Sequence, residues 1–209
     1  VPAPGGGTWS AVSLRYNHLC AITTGGALYC AGADGYGQLG RASTGAVPSN
    51  SLAVIGAKTW KDVSSSGSTT CGVAGDTTLW CWGYNASGQL GNGTTTSTAA
   101  PVQVGADIGW SKVTVGSAHA CAIKTNGELW CWGRNSKGQL GDGSTTDRTG
   151  TVQVTVTSTG TITNWKTVAA GGRHTCAIPA SNAGVYCFGS NAVGQLGIGN
   201  TTDKNVPTK

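Results

Sequence analysis

Residues 110 to 116, Trp-Ser-Lys-Val-Thr-Val-Gly, alternate apolar and polar positions. That period of two is what a half-buried β-strand requires. Ala120 to Lys124 and Glu128 to Trp132 read as the two strands of a hairpin, because Asn126-Gly127 between them supplies the positive φ angles of a tight turn. Beyond the loop Gly141-Asp142-Gly143-Ser144-Thr145-Thr146, the segment Thr151-Val152-Gln153-Val154 predicts a fourth strand. Four strands in about fifty residues make one blade of a β-propeller.

The pattern occurs four times. Gly-Gln-Leu-Gly stands at 37–40, 88–91, 138–141 and 194–197, in steps of 51, 50 and 56 residues. Trp9, Trp60, Trp110 and Trp165 recur at one position, and Tyr29, Trp80, Trp130 and Tyr186 at another, as a packing surface between blades requires. A period this long marks supersecondary units that bury their apolar faces only against neighbours. The chain is therefore expected to be all-β: β-propeller blades of four antiparallel strands, forming one continuous array over 1–209. The repeats fall at about 9–59, 60–109, 110–164 and 165–209, with 1–8 completing a neighbouring repeat. Composition agrees, since 35 glycines with only 10% charged residues suit short strands and tight turns and starve helices.

The hairpin register also pairs the cysteines. With Lys124 opposite Glu128, Ile123 faces Leu129, Ala122 faces Trp130 and Cys121 faces Cys131. Directly opposed residues of a non-hydrogen-bonded pair lie ~4.5 Å apart at Cα, within reach of a disulfide. The same count pairs Cys20 with Cys30 and Cys71 with Cys81; Cys176 and Cys187 keep the register if the loop between them has four residues. Zinc is the competing reading, and it is disfavoured because the spacing places each pair in a different repeat. One disulfide per blade implies an oxidising compartment, so a secreted, periplasmic or cell-surface location is expected.

The string Trp-x-x-Val, His-x-Cys-Ala-Ile, Gly-x-Leu-Trp-Cys-Trp-Gly-x-Asn-x-x-Gly-Gln-Leu-Gly-x-Gly resembles the repeat of the regulator of chromosome condensation family over nearly the whole chain. The resemblance implies the blades of a propeller that closes with seven. The cysteine pair departs from the nuclear members and resembles the disulfide-bearing repeats of secreted, mostly bacterial proteins, some of which inhibit β-lactamases. Nucleotide exchange on a small GTPase, the nuclear members' activity, conflicts with disulfides. Four repeats in place of seven imply either a piece of a longer array or a subunit completed head to tail. Val206-Pro207 enters a fourth strand as Pro101-Val102 does, and residues 1–8 lead into Trp9.

Charge and chemistry narrow the function. The net charge of +5 is scattered without runs, which argues against a nucleic-acid stripe. No stretch approaches the ~18 apolar residues of a membrane helix, and the opening Val1-Pro2-Ala3-Pro4 reads as a mature or trimmed end. His18, His119 and His174 each stand two residues before the first cysteine of a repeat, with Thr69 in that slot of the second. Such recurrence predicts a structural role, with the imidazole bonding backbone groups of a neighbouring loop. No paired carboxylates or nucleophile elbow are present, so neither an enzyme nor a cofactor is expected.

Specificity is expected where equivalent slots differ, because the repeat itself is scaffold. Those slots nominate Arg15, Tyr16, Tyr36, Tyr84, Arg134, Lys137 and Arg173 as partner contacts. Asn85, Asn92 and Asn200 head N-glycosylation sequons. The resulting expectation is a non-enzymatic secreted or cell-surface scaffold that binds another protein or copies of itself. A self-assembling extracellular subunit and a glycan-binding propeller are the alternatives.

Overall fold

The computed structural model describes residues 7–42 and 49–209, with the backbone alone for 49–54. The first sheet contains β1 (Trp9–Arg15), β2 (His18–Thr23), β3 (Leu28–Gly32) and β4 (Ser49–Val54). The second contains β5 (Trp60–Ser66), β6 (Thr69–Ala74), β7 (Leu79–Gly83) and β8 (Thr98–Gln103), and the third β9 (Trp110–Val115), β10 (His119–Lys124), β11 (Leu129–Gly133) and β12 (Arg148–Gln153). A small hairpin, β13 (Val156–Thr157) with β14 (Gly160–Thr161), precedes the last sheet of β15 (Trp165–Ala170), β16 (His174–Pro179), β17 (Tyr186–Gly189) and β18 (Lys204–Thr208). Each four-stranded sheet is an antiparallel meander in sequence order. The described residues thus form four all-β blades, the architecture that the period-two pattern predicts.

The cysteine register is as counted. Cys121 lies opposite Cys131 and Ile123 opposite Leu129, and the disulfides are Cys20–Cys30, Cys71–Cys81, Cys121–Cys131 and Cys176–Cys187, with Cα atoms 4.0–4.1 Å apart. All eight thiols are consumed, which removes the zinc alternative.

A blade is one sheet thick, so its apolar faces find cover only between blades. The three core clusters lie across the three blade junctions: Leu28, Leu39 and Ile55 meet Trp60, Val63 and Trp82; Leu79, Leu90 and Val104 meet Trp110, Val113 and Trp132; Leu129, Leu140 and Val154 meet Trp165, Tyr186 and Phe188. Successive inner strands are also stitched together. Ser65, Val115 and Ala170 each donate a backbone N–H to the hydroxyl of Ser13, Ser64 and Thr114 in the preceding blade, at 2.9–3.0 Å. The ladder position in the fourth blade is Ala169, which has no hydroxyl to continue it.

The fourth blade carries its own outer strand, β18 paired to β17. Of residues 1–8, expected to complete a neighbouring repeat, 1–6 lie outside the described residues.

Candidate protein-binding rim

The Gly-Gln-Leu-Gly loop is built from its own polar groups. In every blade an Asp or Asn three residues upstream accepts the Leu N–H: Asp34 from Leu39, Asn85 from Leu90, Asn135 from Leu140 and Asn191 from Leu196, at 2.9–3.0 Å. The Gln side chain closes the turn from inside, its Oε1 accepting the N–H of the residue two before it. The Leu then plugs the core. The loop leans on the outer strand of the next blade so closely that only glycine fits. A Cβ on Gly37 would stand 2.3 Å from the Cα of Ala99, on Gly88 2.7 Å from that of Thr149 and on Gly138 2.5 Å from that of Asn205.

These loops share one end of the array with the turns between the first and second strands of each blade. Ala33 donates its N–H to the Asn17 carbonyl, Tyr84 to Ser68, Arg134 to Ala118 and Ser190 to Arg173, at 2.7–2.8 Å. All seven nominated contact residues therefore lie at this turn end. Tyr36, half-exposed, packs on Tyr84 of the next blade with centroids 4.7 Å apart. Lys137 reaches Asp203 of the next blade at 3.0 Å. The Asn191 N–H and the Lys137 ammonium hold the Asp203 carboxyl below the usual carboxylate range. Arg134 donates to Ser136 at 3.1 Å. Nearer the inner strands, Arg15 donates to the Ala170 carbonyl of the fourth blade at 3.0 Å, and Tyr16 Oη lies 3.2 Å from Ser117 Oγ of the third. Arg173 is exposed beside them.

His18 and His119 differ from expectation in their partner, which is a threonine side chain of the next blade and not a loop backbone. Thr70 donates its single hydroxyl proton to the Gln38 carbonyl at 2.8 Å, so the contact of 2.9 Å to His18 must run from the Nε2–H to Thr70 Oγ1. His119, Thr175 and Gln139 repeat the relay at 2.9 Å in both steps. The Nδ1 atoms of His18 and His119 are buried without a partner, so a second proton has no acceptor there. Burial pushes His18 down to about 4 against the pull of Asp34, and His119 to about 3 with His174 and Arg15 adding to the effect. These are neutral struts between blades.

Of the sequons, Asn85 is contradicted. It is fully buried, and its Nδ2 donates to the carbonyls of Thr94 and Thr96 at 3.0 Å, which leaves no room for a glycan. Asn92 is half-buried with Oδ1 accepting from Thr94, whereas Asn200 is exposed. The recurrent aromatics pack against each other or under lysines. Trp9 meets Tyr29 and Trp165 meets Tyr186 edge to face, while Lys58 covers Trp80 and Lys124 covers Trp130. Two features escaped the sequence reading. The hydroxyl ladder was detectable by aligning Ser13, Ser64 and Thr114, and the ion pair of Arg41 with buried Asp34, 2.9 Å long, by noting Asp where the other blades have Asn.

Sequence profiles of the regulator of chromosome condensation (RCC1) repeat match residues 76–123, 126–178 and 182–209, and a second profile of the same description matches 10–38, 110–139 and 165–195. The ultraviolet-B receptor UVR8 of Arabidopsis thaliana is 31% identical over 209 residues, 99% of this chain and 35% of the receptor. The X-linked retinitis pigmentosa GTPase regulator of Canis lupus familiaris is 33% identical over 98 residues, 45% of this chain and 10% of that protein. Among solved structures, yeast RCC1 (Prp20), determined with Kap60 bound, superposes with a TM-score of 0.86 at 20% identity over 100% of this chain and 50% of its own. Human WBSCR16 superposes at 0.85 and 20% identity over 98% of this chain and 53% of its own. The chain thus spans about a third of the plant receptor and about half of the two solved propellers. With the repeat profile matched over more than half its length and the same blade geometry throughout, this chain belongs to the regulator of chromosome condensation (RCC1) repeat family.

Proposed function

We propose that the chain is a non-enzymatic protein-binding module of an oxidising, extracytoplasmic compartment, and that it binds through its turn end. The observation that carries this reading is the convergence of the variable slots. Tyr36 and Tyr84 form a tilted aromatic pair, and Arg15, Arg134, Lys137 and Arg173 lie at the same end of a scaffold whose motif positions recur from blade to blade. Exposed tyrosine and arginine are favoured anchors of interfaces, and the basic balance points to a partner with an acidic surface. A protein-bound relative of the same fold, yeast RCC1 with Kap60, supports the class of function. The four disulfides support the compartment.

The test is capture of partners from the native milieu by the wild type, by a Tyr36→Ala/Tyr84→Ala/Arg134→Ala variant, and by a Lys58→Ala/Lys166→Ala variant altered at the opposite end. A partner retained by the second variant and lost by the first is expected. Loss with the opposite-end variant alone would overturn the assignment. For the compartment, thiol alkylation of the chain isolated from its source should leave its mass unchanged, and labelling of all eight cysteines would sink that part.

A further inference from the structure

Four equivalent turns meet at the centre of the turn end. Each joins the first two strands of a blade, and the residue at its head is Tyr16, Gly67, Ser117 or Gly172. The other three close on Ser117. Tyr16 Oη lies 3.2 Å from its Oγ, a Cβ on Gly67 would stand 2.9 Å from its carbonyl oxygen, and its N–H donates to the Gly172 carbonyl at 3.2 Å. Tyr16 holds φ +58°, the value of Gly67, so the first blade keeps a bulky side chain in a conformation that suits glycine. Backbone strain of this kind clusters at functional sites.

Arg15 crosses the same centre. From the first blade its Nη1 donates to the Ala170 carbonyl of the fourth at 3.0 Å, so one of its five N–H donors is used, and on a neutral acceptor. Burial and then the Arg15 charge hold His174 of the fourth blade below the usual imidazole range; burial, His174 and Arg15 do the same for His119 of the third. No carboxylate among the described residues opposes that charge at either histidine. Arg173, three residues beyond Ala170 on the same turn, is exposed, and its side chain bonds to nothing among the described residues.

None of the four turns carries an Asp or Glu. Elsewhere at this end Arg41 holds Asp34, Lys137 holds Asp203 and Arg148 holds Asp142 at 2.8–3.0 Å, while Arg134 donates to Ser136 of its own loop. The Tyr16 and Ser117 hydroxyls share one hydrogen bond, and whichever donates it, the other keeps a proton to give. Two guanidiniums and a free O–H are the donors that a carboxylate needs. Ser117 and Gly172 are half-buried, and partial removal from bulk water strengthens such contacts.

We propose that this centre is a socket for one carboxylate side chain, Asp or Glu, of the protein partner, with Arg15 and Arg173 as its charged donors. The socket presupposes that the turn end is the binding end, and it fixes where the partner's acidic surface is anchored. Charge complementarity selects the occupant, because the site offers positive charge and donors with no acid of its own. A carboxylate placed there opposes the Arg15 charge felt by His174, whose imidazole then takes up a proton more readily.

NMR of the full chain tests the site, with a blocked Gly-Gly-Glu-Gly-Gly peptide as the probe and Gly-Gly-Gln-Gly-Gly as its control. The Glu peptide should shift the Tyr16, Ser117 and Gly172 amides and raise the His174 titration midpoint, and the Gln peptide should bind at least about tenfold more weakly. Arg173→Gln alters an exposed side chain that braces nothing, and it should weaken the Glu peptide about tenfold; Lys166→Ala at the opposite end should leave it unchanged. Equal binding of the two peptides, or binding untouched by Arg15→Gln and Arg173→Gln alike, would overturn the socket. Capture from the native milieu separates the socket from the broader reading. A partner lost both by Tyr36→Ala/Tyr84→Ala/Arg134→Ala and by Arg15→Gln/Arg173→Gln is expected. Loss with the first variant and retention with the second removes the socket and leaves the turn end standing, whereas retention by both removes both.

Discussion

At the scale of single residues, burial decides what the histidines do. Unfolded, each imidazole takes a proton below about 6.5, but in the folded chain His18 does so only at about 4 and His119 at about 3. The unfolded state therefore binds more protons across that window. Stability is fully present above pH 6.5 and falls as pH drops toward 4 and then 3, by up to ~1.4 kcal/mol per pH unit for each histidine. Urea midpoints measured between pH 7 and 4 should show this slope, and His119→Gln, which cannot titrate, should flatten it; an unchanged slope would refute the assignment. That His18 and His119 pack as buried groups between blades accords with their recurrence at one repeat position. Their partner was not legible in the sequence, because Thr70 and Thr175 belong to the next blade, 52 and 56 residues away. Asn85 teaches the same lesson, since a sequon carries no record of how deeply its asparagine is buried.

At the scale of elements, strands and hairpins follow from local pattern, and the long loops follow from what they lean on. Gly88 and Gly194 hold nearly the same φ, +76° and +77°, yet a Cβ would collide with Thr149 in the first case and meet nothing in the second. Both alanine substitutions incur the strain of a positive φ. Gly88→Ala should cost about 1–3 kcal/mol more than Gly194→Ala in chemical denaturation, because only Gly88 must displace backbone. Equal losses would show that the junction tolerates the extra atom. Each hairpin disulfide closes a loop of about ten residues, so Cys121→Ala/Cys131→Ala should lower stability by about 3 kcal/mol, read as a shift in the urea midpoint. The extra residues of the third repeat form the β13–β14 hairpin, and the Ser158 N–H donates to the Pro207 carbonyl of β18. No period announces a two-residue strand.

At the scale of the whole molecule, the proposed binding end is a product of connectivity. Turns from Arg15-Tyr16 and loops from Tyr36, Tyr84, Arg134 and Lys137 meet because antiparallel meanders return every other connection to the same end. If the partner docks on the basic groups there, binding should weaken as ionic strength rises from about 0.05 to 0.5 M. Salt-insensitive binding would place the partner on another surface. The fourfold spacing of Trp, Cys and Gly-Gln-Leu-Gly determined the strands, the cysteine pairing and the blade, because hairpin register and core alternation are local and repeat with the chain. Only the tertiary structure decided which residues meet across junctions and which sequon is buried. Those outcomes depend on contacts between blades some fifty residues apart, such as His18 with Thr70 and His119 with Thr175.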